Sequence, residues 1–217
     1  MWKYALPLLL LLAAGSAQAA GISLDSIAPA CKCEVLRERL TAADITEFET
    51  LPAQVRATLA AIRTVGGPSD KAANAIAAKL AGGMFDGAFE RVKAGTRACA
   101  VYWYGFLDTR SQRVGRHRCR VSVKNGAIGI AKITGDGFNA DRMPYIAGAE
   151  AVFGRTFLAD QPERTYDKAN PATAGNDNFG NRVGLAFADK GRLYLLSINE
   201  RGFTEPDETF FEVIAVE

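Results

Sequence analysis

The C-terminal half of the chain alternates apolar and polar residues at the period of a β-strand, and this pattern restricts its folds most strongly. One face of the segment 116–124 carries His117, Cys119 and two valines. The opposite face carries Arg116, Arg118, Arg120, Ser122 and Lys124. Asn125-Gly126 follows, and Asn-Gly is the strongest short signal for a hairpin. The pattern therefore predicts two antiparallel strands joined by a tight turn.

Similar patterns predict about seven strands, most of them joined by short connections. The predicted strands are 98–106, 116–124, a return strand with Ile128 and Ile130, 145–157, 183–187, 192–198 and 210–216. A meander of this kind has to bury one face and protect its edges, which a barrel or a sandwich achieves. The polar segment 159–182 is the long exception among the connections.

An alanine-rich segment with helical periodicity precedes these strands. Thr41-Ala42-Ala43-Asp44 resembles a capping box and predicts a short helix that ends near Phe48. Pro52 suits the first turn of a second helix, and Ser69 is the predicted cap of a third. Their apolar stripes are narrow, so we expect the helices to lie on the sheet. The predicted fold class is α+β, a short helical segment packed on an antiparallel sheet.

The first residues have the form of a secretory signal. Lys3 precedes an apolar run that is too short to span a bilayer, and Ala17-Gln18-Ala19 matches a cleavage site. Cleavage is predicted after Ala19, with Ala20 as the near alternative. We therefore expect a periplasmic protein with no membrane span, divided into a signal (1–19), an N-terminal segment (20–40), a helical segment (41–95) and a β domain (96–217). Residues 41–217 are expected to fold as one unit.

Charge and motif content exclude several functional classes. The net charge of +2 is too balanced to indicate nucleic acid or an anionic membrane as a partner. A single histidine, His117, excludes a site with several histidine ligands, and no phosphate loop or dinucleotide fingerprint is present. No cofactor or metal is expected. The sequence does not identify a partner, and the ligand classes that it leaves open are a small molecule and a protein.

Four cysteines in an exported chain favour disulfides over free thiols. Cys99 and Cys119 lie on the apolar faces of two strands predicted to be neighbours, so we expect them to pair. Cys31-Lys32-Cys33 admits several interpretations: a strained local bridge, a tether to another chain, a soft-metal pair or a labile redox pair. The bridge or tether is favoured because no methionine or histidine lies nearby as a third ligand.

Several segments, taken in order, resemble the exported bacterial family called domain of unknown function 4893. They are Leu40-Thr41-Ala42-Ala43-Asp44, Leu51-Pro52, Leu59-Ala60-Ala61-Ile62-Arg63, the Cys99 strand, Arg118-Cys119-Arg120-Val121, Lys132-Ile133-Thr134-Gly135 and Phe210-Phe211-Glu212-Val213-Ile214. The resemblance implies an exported protein of helices and a barrel, and it supplies no catalytic residues.

Candidate functional side chains are few. His117, on the inward face, is expected to be a hydrogen-bonded core residue. Tyr102 and Tyr104 either form a platform for a sugar or peptide or lie beneath the helices, which we favour. Carboxylates cluster in two loops, as Asp160, Glu163 and Asp167 and as Glu200, Glu205, Asp207 and Glu208. The sequence thus favours a non-enzymatic binding or interaction protein over a hydrolase that uses loop carboxylates, with a Cys31–Cys33 metal or redox protein as a further alternative.

Overall fold

The computed structural model describes residues 24, 34–65, 70–106, 110–124, 127–146, 149–159, 161–171, 180–199 and 210–217. Helices α1 (Glu34–Arg37), α2 (Ala42–Val65) and α3 (Lys71–Gly82) come first, followed by a 3-10 turn at Phe89–Arg91. The strands are β1 (Gly95–Phe106), β2 (Arg110–Lys124), β3 (Ala127–Lys132), β4 (Gly137–Ile146), β5 (Ala149–Phe157), β6 (Asn181–Asp189), β7 (Arg192–Asn199) and β8 (Phe210–Val216). The signal, Ala19, Cys31 and Cys33 lie outside the described residues.

The strands form a closed antiparallel barrel in chain order. Each strand pairs with the next, and β8 closes the ring by pairing with β1. The α+β prediction is therefore confirmed, and of the two predicted sheet arrangements the barrel is the one observed. Closure removes the free strand edges that a meander of this length would otherwise expose.

The described part of the chain contains eight strands rather than about seven. The additional strand is β4, which pairs with β5 from Gly137 opposite Phe157 to Ile146 opposite Ala149. Its sequence does not alternate, and Pro144 argues against a strand in any pattern-based prediction. The predicted strand 145–157 is thus mostly β5, preceded by the end of β4.

The barrel wall is buried on both faces over much of its circumference. An inner cluster includes Cys99, Val101, Cys119, Ile130 and Ile214. An outer cluster joins the helices to the outward residues of β1 and β5–β8. Because both faces of β6 are covered, every residue from Arg182 to Asp189 is buried. The helices therefore complete the core rather than forming one of their own.

Helix α2 is continuous through Pro52, which corrects the prediction of two helices. Ile45, Phe48, Leu51, Val55 and Leu59 lie on one buried face that runs past the proline. Burial of this face on the barrel offsets the backbone hydrogen bond that a proline removes.

The helix starts are held by side-chain caps. The Thr41 hydroxyl accepts from the Asp44 backbone N–H at 3.1 Å, so one of the two hydrogen bonds of the predicted capping box forms. The Tyr166 hydroxyl accepts from the Thr41 N–H and donates to the Asp44 carboxylate. The cap of α3 is Asp70, rather than Ser69, and it accepts from the Ala72 and Ala73 N–H groups.

Tyr104 fastens α3 to the barrel, and its hydroxyl is expected to contribute measurably to stability. The hydroxyl donates to the Ala73 carbonyl at 2.9 Å in a fully buried position, while its ring stacks on Phe211. We expect Tyr104→Phe, which keeps the ring, to lower the free energy of unfolding by about 1 kcal/mol in urea denaturation. Tyr104→Leu, which also removes the stacking, should cost more. Equal stability of Tyr104→Phe and the unsubstituted protein would contradict this anchoring role.

None of the helices in the described ranges has the length and apolar character needed to cross a membrane.

Candidate functional site

A buried ion pair lies inside the barrel, near the end that carries the β1–β2, β3–β4, β5–β6 and β7–β8 connections. We call this end the loop end. Arg182, the second residue of β6, donates from Nη1 to Oε1 of Glu212 on β8 at 2.6 Å. Both side chains are less than a tenth exposed. Burying two charges is costly, and apolar residues of similar size would often serve stability as well or better. The pair is therefore a candidate functional group rather than a simple stabilising contact.

The pair spans the intervening strand β7 because small residues lie in its path. Ser197 of β7 is in register with Glu212 on one side and with Gly184 on the other. A Cβ atom on Gly184 would lie 2.0 Å from the Leu196 carbonyl oxygen, so a larger residue does not fit there without displacing the backbone. The small side chains at both positions leave room for the long Arg182 side chain to reach Glu212.

Trp103 holds the second oxygen of the same carboxylate. Its indole Nε1–H donates to Oε2 of Glu212 at 2.7 Å. Charge-assisted hydrogen bonds of this kind are among the stronger ones in proteins, and here they fix the orientation of both carboxylate oxygens.

Aromatic rings surround this polar group. Trp103 contacts Phe106 and Phe210 with centroid separations of 4.9 and 5.1 Å, and the two phenylalanines lie 4.8 Å apart. Phe210 is fully buried, whereas Trp103 and Phe106 are partly exposed. The rings of Trp103 and Phe106 therefore link the buried ion pair to solvent. We call Trp103, Phe106, Arg182, Phe210 and Glu212 the loop-end site.

His117 is half-buried on β2, opposite Cys99 of β1. Its Nδ1 lies 3.0 Å from the Thr134 carbonyl oxygen. The ring fits because Gly115 and Gly135 flank it; a Cβ at Gly115 would lie 2.3 Å from Nε2. Burial lowers the pKa of His117, the charge of Lys132 lowers it further, and Thr134 and Glu212 act in the opposite direction. The imidazole is therefore mainly neutral near pH 7 and hydrogen-bonded.

The predicted disulfide is present. Cys99 and Cys119 are bonded across β1 and β2 with their Cα atoms 5.8 Å apart. Both residues are buried in the inner cluster, as the alternation of their strands predicted. The bond joins the first two strands of the barrel. The described residues include no free cysteine.

The outward aromatic residues of β1 lie beneath the helices, as expected. Tyr104 is completely buried against α3, and Tyr102 is nearly so. Burial raises the pKa of both phenols above the ordinary value. Neither ring offers an open platform, so within this aromatic group only the partly exposed Trp103 and Phe106 are left for ligand contact.

The loop carboxylates that fall within the described residues have structural partners. Both oxygens of Glu163 accept from Arg120 at 2.6 Å. Asp167 accepts from the backbone N–H groups of Ala169 and Asn170, which orders the turn and lowers its pKa. The remaining carboxylates of both predicted clusters lie outside the described residues.

A groove of about 190 Å³ also lies outside the barrel, between α3 and the wall. Its ammonium group, Lys79, is bound to Asp189 and faces the rings of Phe85 and Tyr194. Alanines and Ile76 form much of the remaining lining. Arg192 and Glu217 also line the groove. Its lysine is already engaged, and the loop-end site, whose ion pair is buried inside the barrel, is the stronger candidate.

Sequence reasoning did not find Arg182 and Glu212. The available signal was a charged residue at one end of a strongly apolar run, as in Arg182-Val183-Gly184-Leu185, and a lone acid within Phe210-Phe211-Glu212-Val213. Neither pattern shows that the two side chains meet, because β7 separates their strands.

Comparison with family models, curated proteins and solved structures found no match to this chain.

Proposed function

We propose that the protein is an exported, non-enzymatic binding protein that takes a small, sugar-like ligand at the loop-end site. The observation that carries the proposal is the Glu212 carboxylate, held by Arg182 and Trp103 inside the barrel beside partly exposed aromatic rings. Eight-stranded barrels are either filled by side chains or hold one small ligand. Export to the periplasm and membership of the family named above belong to the same proposal and rest on the N-terminal signal and the ordered motifs.

The chemistry of the site favours a neutral polyhydroxylated ligand. Arg182 and Glu212 neutralise each other, so the pair attracts neither a strong anion nor a strong cation. A sugar ring can pack its apolar C–H face on Trp103 or Phe106 while its hydroxyls form hydrogen bonds with the carboxylate and the guanidinium. Such a ligand therefore matches both the aromatic and the polar part of the site.

The described carboxylates of the predicted loop clusters favour a binding role over hydrolysis. Acid–base catalysis by a pair needs one carboxyl group in a shielded pocket with a raised pKa. Glu163 is bound to an arginine on the surface, and the pKa of Asp167 is lowered rather than raised. These two groups therefore act in loop structure, which supports the non-enzymatic proposal.

Trp103 provides the readout for a direct test. The chain has two tryptophans, Trp2 and Trp103, so the Trp2→Phe variant of the full chain leaves Trp103 as the only indole. We expect a saturable change in its fluorescence during titration with at least one member of a panel of neutral mono- and disaccharides. Adding Glu212→Gln should raise the dissociation constant roughly 10- to 100-fold, because a hydrogen bond to a charged group is lost.

The matched control is Glu163→Gln, which removes a carboxylate from the surface and should leave the titration unchanged. Thermal unfolding of each variant establishes that the titrated protein is folded. The proposal fails if no saccharide changes the emission of Trp103, or if the Glu212→Gln and Glu163→Gln variants bind equally well.

A further inference from the structure

Three arginines form a row on the outer face of β2. Arg116, Arg118 and Arg120 occupy every second position of the strand, so they lie on the face opposite to that of the inward Cys119. Alternate residues of a strand are about 7 Å apart, so the guanidinium groups form a line of evenly spaced cations. All three side chains are exposed.

The residues beside this row are small, so the arginine side chains project beyond the surface of the barrel wall. Across the sheet, Arg116 and Arg118 face Ala100 and Ala98 of β1, and Arg120 faces Ala131 of β3. Helix α3 packs on β2 through Ser111 and Asn74, near the start of the strand. The helices therefore cover the beginning of β2 and leave the arginine row to solvent.

Within the described residues, two of the three arginines of the row have no acidic partner. Arg116 and Arg118 form no ion pair within the described ranges. Arg120 binds Glu163, but both side chains are substantially exposed, at 50% and 40%, and exposed pairs exchange readily with other partners. The overall charge of +2 thus conceals a local concentration of positive charge.

Exposed aliphatic side chains accompany the arginines. Over the described part of the chain, the exposed large apolar residues are Met84, Val114, Val123 and Ile133, and the last three lie on β2 or beside it. Val114 is the extra residue at the irregularity in the β1–β2 register, and the Ile133 backbone N–H donates to Arg118. Exposed apolar groups beside cations are what a peripheral membrane surface requires.

We infer that the outer face of β2 is a membrane-docking surface that binds anionic phospholipid headgroups. Arginine recognises phosphate through paired N–H donors, so the row supplies the electrostatic contact. Val114 and Ile133 supply the shallow apolar contact. A soluble polyanion would use the arginines but gains nothing from aliphatic side chains, and for this reason the lipid surface is favoured. The inference is independent of the ligand proposed for the loop-end site.

Vesicle sedimentation tests the inference on the full protein as cells release it, with its N-terminus established by intact mass. Two kinds of vesicle are compared, one of phosphatidylcholine alone and one that also contains phosphatidylglycerol. A retained apolar leader would insert into both kinds, whereas recognition of anionic headgroups requires phosphatidylglycerol. We expect binding to the anionic vesicles only, weakening as salt is added. The Arg116→Gln/Arg118→Gln/Arg120→Gln variant should bind on the order of 100-fold more weakly, since each arginine near an anionic surface contributes a factor of about 5 and the three factors multiply.

Two further variants make the test specific. Arg37→Gln/Arg91→Gln/Arg192→Gln removes the same charge from exposed positions elsewhere and should bind anionic vesicles nearly as well as the unsubstituted protein. Val114→Ser/Ile133→Ser should weaken vesicle binding while leaving binding to dextran sulfate unchanged. Melting curves verify that each variant is folded. Equal vesicle binding by the two arginine variants would overturn the inference, as would binding to dextran sulfate without binding to anionic vesicles.

Discussion

The Glu212→Gln variant is expected to be about 3–5 kcal/mol less stable than the unsubstituted protein, because it removes the carboxylate charge from a buried ion pair while the Arg182 guanidinium stays charged. The glutamine keeps the shape of the side chain, so the effect isolates the charge. Trp103 would keep a hydrogen-bond acceptor at the same position. Urea denaturation followed by circular dichroism measures the change in the free energy of unfolding.

The double variant Arg182→Met/Glu212→Leu separates the cost of a lone charge from the value of the pair. Because it removes both charges of the pair, we expect it to recover most of the lost stability. The surface pair provides the matched control: Arg120→Gln/Glu163→Gln should change stability by less than about 1 kcal/mol. If Glu212→Gln is no more damaging than this surface change, the loop-end pair is solvated rather than buried and its proposed role loses its basis.

Loss of the Cys99–Cys119 bond is expected to cost about 3 kcal/mol. The bond closes a loop with a sequence separation of 20 and thereby restricts the unfolded chain. The Cys99→Ala/Cys119→Ala variant should unfold at a lower urea concentration, and a reducing agent should shift the unsubstituted protein in the same direction.

Addition of dithiothreitol to the double variant is the control for this measurement. The variant lacks the thiols in question, so reduction should not destabilise its barrel further. A Cys31→Ser/Cys33→Ser variant that keeps the bond should unfold close to the unsubstituted protein. Identical midpoints for Cys99→Ala/Cys119→Ala and the unsubstituted protein would show that the bond does not constrain the unfolded chain.

The sheet was predictable where local signals were complete. The alternation around Cys99 and that around Cys119 placed both cysteines on inward faces of their strands. Strand β4 was not predictable because it lacks alternation and contains Pro144, and its place in the sheet depends on pairing with both neighbours. The sequence predicted two helices separated near Pro52, whereas helix α2 is continuous, because burial against the barrel outweighs the local backbone preference of the proline.

The loop-end site was also only partly predictable from the sequence. The structure places the indole of Trp103 on Glu212, a contact between two strands that are far apart in the sequence. The contact between Arg182 and Glu212 crosses a third strand, and a pattern within one segment carries no information about it. His117 was expected to be hydrogen-bonded, but only the structure shows that Gly115 and Gly135 make room for its ring.

The amino-acid sequence by itself determined most of the antiparallel meander, the inward faces of Cys99 and Cys119 and the helical segment that needs a surface to cover, since each follows from periodicity within a few residues. Closure of the ring by β1 and β8 and the meeting of Arg182 with Glu212 were decided only by the tertiary structure. The physical reason is that a closed barrel sets the angle and stagger of every strand together. Side chains far apart in the chain therefore face one interior only after the last strand has joined the first.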